Sequence, residues 1–261
     1  MPRFAANLSM MFNEVQFLDR FSAAADAGFN GVEYLFPYEH AAAAIGQKLR
    51  QNNLENVLFN MPPGDWAAGE RGMASIPGRE AEFRSGVAKA LDYAKELAVG
   101  RLHAMAGIPP VDANRAACHA TLVENLKYAA EELAPHNIIL LLEAINTRDM
   151  PGFFVSTQAQ CAVICSDVNA PNMKMQLDCY HMQVMEGDLA AKLRRYAAQC
   201  GHVQIAGAPN RNEPDTGEIR YEYLFRVLDE LGYAGWVGCE YRPGGKTADG
   251  LGWFSRQFAV A

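Results

Sequence analysis

The chain has 261 residues, half of them apolar, which matches one α/β barrel of roughly 250 residues and supplies a sizeable core. Its 23 basic and 30 acidic side chains leave a net charge of -7, and no Lys/Arg stripe is present to track a phosphate backbone, which argues against nucleic acid as a partner. No run reaches about 18 apolar residues and the N-terminus lacks a basic start, apolar stretch and cleavage site, so the expectation is a soluble protein that neither enters a membrane nor is exported.

Strand-like runs alternate with helix-like segments along the whole chain. FAANLSM, from Phe4 to Met10, is the first strand candidate, and Phe17, Leu18, Phe21, Ala24, Ala25 and Gly28 then fall on one helical face. The remaining strand candidates are GVEYLFP at Gly31, ENVLFNM at Glu55, RLHAMAG at Arg101, IILLLEAIN at Ile138, MKMQLDCYHM at Met173, HVQIAGAP at His202 and WVGCEYRP at Trp236. Helical spacing recurs between them, as in Phe83, Val87, Leu91, Ala94, Leu97 and in Leu122, Leu126, Ala129, Leu133. Gly28, Gly100, Gly201 and Gly232 are placed to close helices, and no Pro-rich or low-complexity linker divides the series, so residues 1–261 are read as one domain. Eight β-then-α units in this length favour a closed parallel (β/α)₈ barrel over an open doubly wound sheet, and no G-x-G-x-x-G follows the first strand to suggest a dinucleotide site.

A barrel of this kind carries its chemistry at the C-terminal strand ends, and four polar residues stand there on the last four strands. Glu143 follows IILLL, Asp178 follows MKMQL, Gln204 sits in HVQIA and Glu240 follows WVGC. One such carboxylate alone is more often a structural residue or a helix cap. Three converging on a small volume would repel one another and hold protons unless a cation neutralised them. Three carboxylates and an amide oxygen are hard donors without thiolate or imidazole, which predicts one Mn²⁺ or Mg²⁺, Mn²⁺ first. That set leaves about one excess negative charge, so an anionic substrate needs further cations, for which Arg71, Arg211 and Lys246 are available.

His181, three residues past Asp178, is a candidate hydrogen-bond donor to substrate, and His103 in RLHAMAG is expected to face the interior. Glu33 reads as a buried structural carboxylate, and His40, His119 and His136 as solvated. The segments Pro62–Gly78 and Gly207–Glu218 are long for βα loops and are candidate lids. The first presents Trp66 as an apolar plug and Arg71 as a carboxylate fork, with pinning of its own loop through Glu70 or Glu80 as the lesser alternative for Arg71. The six cysteines form no C-x-x-C pair and mostly lie in apolar segments, which suits a reducing cytoplasm.

The chain resembles the hydroxypyruvate isomerase family, within the xylose-isomerase-like metal-dependent barrels. The resemblance rests on FAANLSMMF, GDWAAGERG followed by IPGRE, HATLVENLKYAAE, LLLEAIN, YHMQVMEGD, GHVQIA, NEPDTGEI and GWVGCEY, and spans nearly the whole chain. It implies metal ligation by Glu143, Asp178, Gln204 and Glu240, with Glu143 and Glu240 as the acid/base pair. Related sugar epimerases usually carry His where Gln204 stands. FNMPPGDWAAGERG and RLHAMAG look more like members acting on four-carbon oxo-tetronates than on hydroxypyruvate. In both substrates a C2 carbonyl and a C3 hydroxyl exchange oxidation state through an enediolate, with a small-molecule oxo-acid as the partner. A ketose 3-epimerase is the alternative; an abasic-site endonuclease and a non-catalytic sugar-binding barrel are more distant ones. The oligomeric state is left open, a homo-oligomer included.

Overall fold

A computed structural model describes residues 2–258. Eight parallel strands, β1 Arg3–Asn7, β2 Gly31–Tyr34, β3 Glu55–Asn60, β4 Arg101–His103, β5 Ile139–Glu143, β6 Met173–Asp178, β7 Cys200–Ile205 and β8 Trp236–Cys239, close into a barrel in sequence order. The β1–β8 seam is regular, pairing Arg3 with Trp236 and Ala6 with Cys239. Closure buries both faces of this parallel sheet: one lies against the helices and the other inside the barrel.

The helices supply the outer layer. In the helix Glu80–Leu97 the buried residues are Phe83, Val87, Ala90, Leu91, Ala94 and Leu97, the face expected from the three- and four-residue steps. The next helix, Arg115–Leu133, buries Cys118, Leu122, Leu126, Ala129 and Leu133, and Asn114 caps it by accepting from the N–H groups of Ala116 and Ala117. Inside, Ala5, Val57, Leu58, Leu141 and Trp236 form a separate apolar cluster towards the N-terminal ends of the strands. Above it the inward positions become polar, and these form the site.

Some expected boundaries move. The first strand ends at Asn7 rather than Met10, because residues 8–10 form a turn. Gly28 and Gly232 do have positive φ at helix ends, but the helix before Gly100 is closed by Ala98 in the left-handed region. Gly201 belongs to β7, where a Cβ would stand 2.7 Å from both Leu141 Cδ2 and Lys174 Cβ; its smallness serves sheet packing.

Candidate active site

Two of the four strand-end residues are the last residues of their strands, Glu143 on β5 and Asp178 on β6; Gln204 is next to last on β7 and Glu240 is one past β8. Register brings them together: Glu143 pairs with Gln176, Asp178 with Gln204, and Gln204 with Gly238, two residues before Glu240. Side chains two apart on a strand face the same side, so all four point into the barrel mouth. All are at least 95% buried.

Asp178 answers the question whether such a residue is a cap or a ligand. Its Oδ1 accepts from the N–H groups of Tyr180 (2.6 Å) and His181 (3.0 Å), capping the helix Cys179–Met185. Its Oδ2 is buried with no hydrogen-bond partner, as is Glu143 Oε1. Glu240 uses Oε1 to accept from Asn7 Nδ2 (3.2 Å) and Oε2 to accept from Arg211 Nη2. Gln204 is more committed: Oε1 accepts from Gln176 Nε2 (2.6 Å) and Nε2 donates to Glu33 Oε1 (2.7 Å). An amide oxygen keeps a second lone pair, so Gln204 retains an acceptor position.

His181 is closer to the carboxylates than the sequence suggested. Candidate ligand atoms of Glu143, Asp178, His181 and Glu240 lie within 4.8 Å of one another, so an imidazole stands beside the expected oxygen donors. Asn146 Nδ2 lies 2.6 Å from His181 Nδ1 and its own backbone N–H donates to the same atom, while Arg211 Nη2 lies 3.3 Å from Nε2, so donors flank both ring nitrogens. That Nε2 faces Glu143 and Asp178, each at 3.8 Å. His103 also faces the interior, with Nδ1 3.2 Å from Asn60 Oδ1 and Nε2 unpartnered.

Of the three cations considered, only Arg211 is in the site, 3.5 Å from Asp178 Oδ2 and bonded to Glu240. Arg71 lies elsewhere: its Nη1 donates to the backbone oxygens of Trp66 (3.0 Å) and Glu70 (2.7 Å), and its guanidinium stacks 3.9 Å above the Trp66 ring. It does pin the loop, through those two carbonyls, while the Glu70 carboxylate pairs with Arg79. Lys246 is exposed on the loop after β8 and lines no part of the cavity.

That cavity, about 220 Å³, is lined by Glu143, Glu240, His103, His181 and Arg211, with Trp66, Met105, Ile145 and Met150 as apolar wall. Sequence reasoning missed Arg242, which also lines it, and the supporting polar layer. Glu33 Oε2 lies 2.7 Å from His202 Nε2, while Oε1 accepts from Gln204 Nε2 and from Asn7 Nδ2 (3.1 Å). A Cβ at Gly238 would collide with both Glu33 oxygens, so the glycine makes room for this carboxylate. The same two-residue spacing could have revealed these partners: His202 precedes Gln204, and Arg242 follows Glu240.

Burial and like charge set the electrostatics. Burial raises Glu143 well above the usual carboxylate range, reinforced by Glu240 and Asp178. Glu240 is pushed up to about 8 by burial, partly opposed by Arg211, and Asp178 is also raised by burial against the pull of Arg211. His103 is pushed down to about 3 by burial and by His202; His181 is lowered by burial and by Arg211, so both rings are neutral. Three buried carboxylates that resist ionisation, with an unpartnered oxygen on two of them, fit a divalent cation well.

The profile of a family described as xylose isomerase-like TIM barrel matches residues 21–257. A 2-oxo-tetronate isomerase from Cupriavidus necator is 58% identical over 97% of each chain, and a hydroxypyruvate isomerase from Escherichia coli is 50% identical over 97% of this chain and 98% of the other. A Brucella melitensis structure named AP endonuclease, family 2, superposes with a TM-score of 0.97 at 57% identity, covering 98% of this chain and 99% of that one. The E. coli 3-keto-D-glucoside 4-epimerase, at 17% identity and a TM-score of 0.80, shares the fold alone.

Proposed function

The chain belongs to the xylose isomerase-like TIM barrel family and is an isomerase of the hydroxypyruvate isomerase group; from that premise we propose that it moves a carbonyl between C2 and C3 of a short oxo-acid, 2-oxo-tetronate before hydroxypyruvate. The observation that carries this reading is the pair of buried carboxylates, Glu143 from β5 and Glu240 from β8, facing one small cavity. An enediolate is planar, so taking a proton from C3 and returning one to C2 calls for two groups that can each hold or release a proton near neutral pH. Burial raises both carboxyls above the usual carboxylate range, Glu240 to about 8.

Glu143, Asp178 and Glu240, with Gln204 at the adjoining register position, would hold the cation, for which we propose Mn²⁺ or Mg²⁺. When bound, that ion supplies polarisation of the carbonyl and stabilisation of the enediolate charge. Arg211 would donate to a substrate oxygen, and the His181 ring, held by Asn146 at Nδ1 and beside Arg211 at Nε2, would orient it. Trp66, Ile145 and Met150 exclude water from the intermediate. A volume of about 220 Å³ suits a short acid and is below the roughly 300–1,000 Å³ of drug-sized ligand sites.

The Brucella relative carries the name of an endonuclease, a reading that needs a basic groove for a phosphate backbone. This chain carries a net charge of -7 and gathers a single potential metal-ligand group among the described residues. Six unpaired thiols support a reducing cytoplasm as its compartment, and no helix among the described residues is long and apolar enough to cross a membrane. The test is an assay of chelator-stripped and Mn²⁺- or Mg²⁺-reloaded protein on 2-oxo-tetronate, hydroxypyruvate and free ketoses. The reading predicts turnover of the acids that chelation removes and the metal restores. Preference for ketose epimerisation, or turnover indifferent to chelation, would contradict it.

A further inference from the structure

The cation that meets the substrate's carboxylate is not among those the charge count first suggested. Arg211 is 95% buried and already engaged, with Nη2 on Glu240 and 3.5 Å from Asp178, and Nη1 3.9 Å from Asp149. Arg71 spends its guanidinium on backbone oxygens of its own loop, and Lys246 lies off the cavity. Arg242 differs from all three. It stands two residues past Glu240, lines the same cavity as Glu143 and His181, and its exposed side chain has no hydrogen-bond or ion-pair partner among the described residues.

Its point of attachment is fixed. The Arg242 N–H donates to the Arg211 oxygen (2.7 Å), and its own oxygen accepts from Asn212 Nδ2 (2.8 Å). Pro243 follows, and the Gly244 N–H donates to Glu213 Oε1 (2.9 Å), so the loop after β8 is tied to the loop after β7. The nearby Glu14 carboxylate is taken up by the Thr247 N–H and hydroxyl. An unpaired guanidinium therefore hangs from an anchored backbone at the cavity wall.

Charge balance gives it a task. Three ionised carboxylates and one divalent cation sum to minus one, and Arg211 brings the total to zero. An oxo-acid adds one negative charge, which Arg242 offsets; a neutral ketose adds none and leaves Arg242 hydrated. We propose that Arg242 is the carboxylate-binding subsite of this pocket and the residue that separates acid substrates from neutral sugars of the same length. The proposal rests on the oxo-acid reading above and is tested so that the two can fail separately.

The probe is threonate, a four-carbon acid without a carbonyl to isomerise, compared with its neutral counterpart threitol. Both are titrated calorimetrically into metal-loaded wild type, Arg242→Ala and Arg242→Lys, with thermal melting confirming that each variant is folded. Wild type is expected to bind threonate more tightly than threitol. Arg242→Ala should weaken threonate roughly 10- to 100-fold, the worth of a charge-assisted hydrogen bond, and leave threitol unchanged. Arg242→Lys should restore part of the loss, and with an oxo-acid substrate most of the effect should appear in KM rather than kcat. Equal threonate binding by wild type and Arg242→Ala, equal losses for both probes, or no threonate preference in wild type would each overturn the subsite. A wild type that binds threonate through Arg242 yet turns over no oxo-acid would instead overturn the substrate reading and leave the subsite standing.

Discussion

Two buried carboxylates of the same barrel, Glu33 on β2 and Glu143 on β5, have opposite surroundings. Glu33 has both oxygens occupied, by His202, Gln204 and Asn7, and Gly238 leaves space for it. Glu143, no more exposed than 4%, has an oxygen with no partner and faces Asp178 and Glu240. Burial therefore does not distinguish structure from chemistry here; the count of partners does. A satisfied carboxylate holds its neighbours in place, whereas one left unsatisfied among like charges is available for a cation, a proton and a substrate.

The sharpest way to break this contrast is to neutralise one residue of each kind. Glu143→Gln should lower kcat by about 10³-fold or more while leaving the metal-free protein at least as resistant to heat as wild type, because a like charge has been removed. Glu33→Ala should do the reverse in emphasis. It strands His202 and the Gln204 amide, at a cost of about 3–5 kcal/mol in denaturant unfolding, with activity falling through displaced Gln204 and Asn7. Unfolding free energy unchanged in Glu33→Ala would end the distinction.

A smaller effect should appear in the pH dependence of stability. Glu240 holds its proton up to about 8 when folded but releases it near 4.5 when unfolded, and Glu143 and Asp178 are raised too. The folded, metal-free state thus binds more protons across that window, and its stability falls as pH rises through it. Bound cation competes with those protons, so the rise in Tm on adding Mn²⁺ should be larger at pH 8 than at pH 6. His103 has the opposite sign: neutral in the fold down to about 3, against 6.5 when unfolded, it offsets part of the carboxylate effect between about 4.5 and 6.5 and costs stability as pH falls further. Melting curves across pH, with and without metal, check both limbs.

The smallest change is expected at Arg71. Because it supports Trp66 rather than the cavity itself, Arg71→Ala should cost about 1 kcal/mol or less and weaken acid and neutral ligands alike. Selective loss of acid binding would return Arg71 to the site, and parallel titrations of threonate and threitol read the difference.

The fold was legible because eight apolar runs alternate with helical faces, and no local detail has to be right for that rhythm to appear. The strand-end carboxylates were legible for a related reason, since a charge directly after IILLL or WVGC breaks the pattern. What the sequence conceals is who partners whom. Asn7, Gln176 and His202 look like isolated polar residues until the register places them beside Glu240, Gln204 and Glu33. Cations are hidden in the same way. Counting Arg71, Arg211 and Lys246 as available ignores the backbone oxygens and carboxylates that occupy the first two, whereas Arg242 emerges only once the neighbours are known.

The exchange of a proton between substrate carbon and the pair Glu143 and Glu240 is tested most directly by isomerisation in D₂O, followed by NMR at early conversion against an enzyme-free control. Proton transfer through these carboxylates predicts solvent deuterium at C2 of the product formed by the metal-loaded wild type, and none above the control with Glu143→Gln or Glu240→Gln. Product that retains the original C3 hydrogen at C2 without solvent deuterium would contradict the acid/base pair and point to direct hydride transfer.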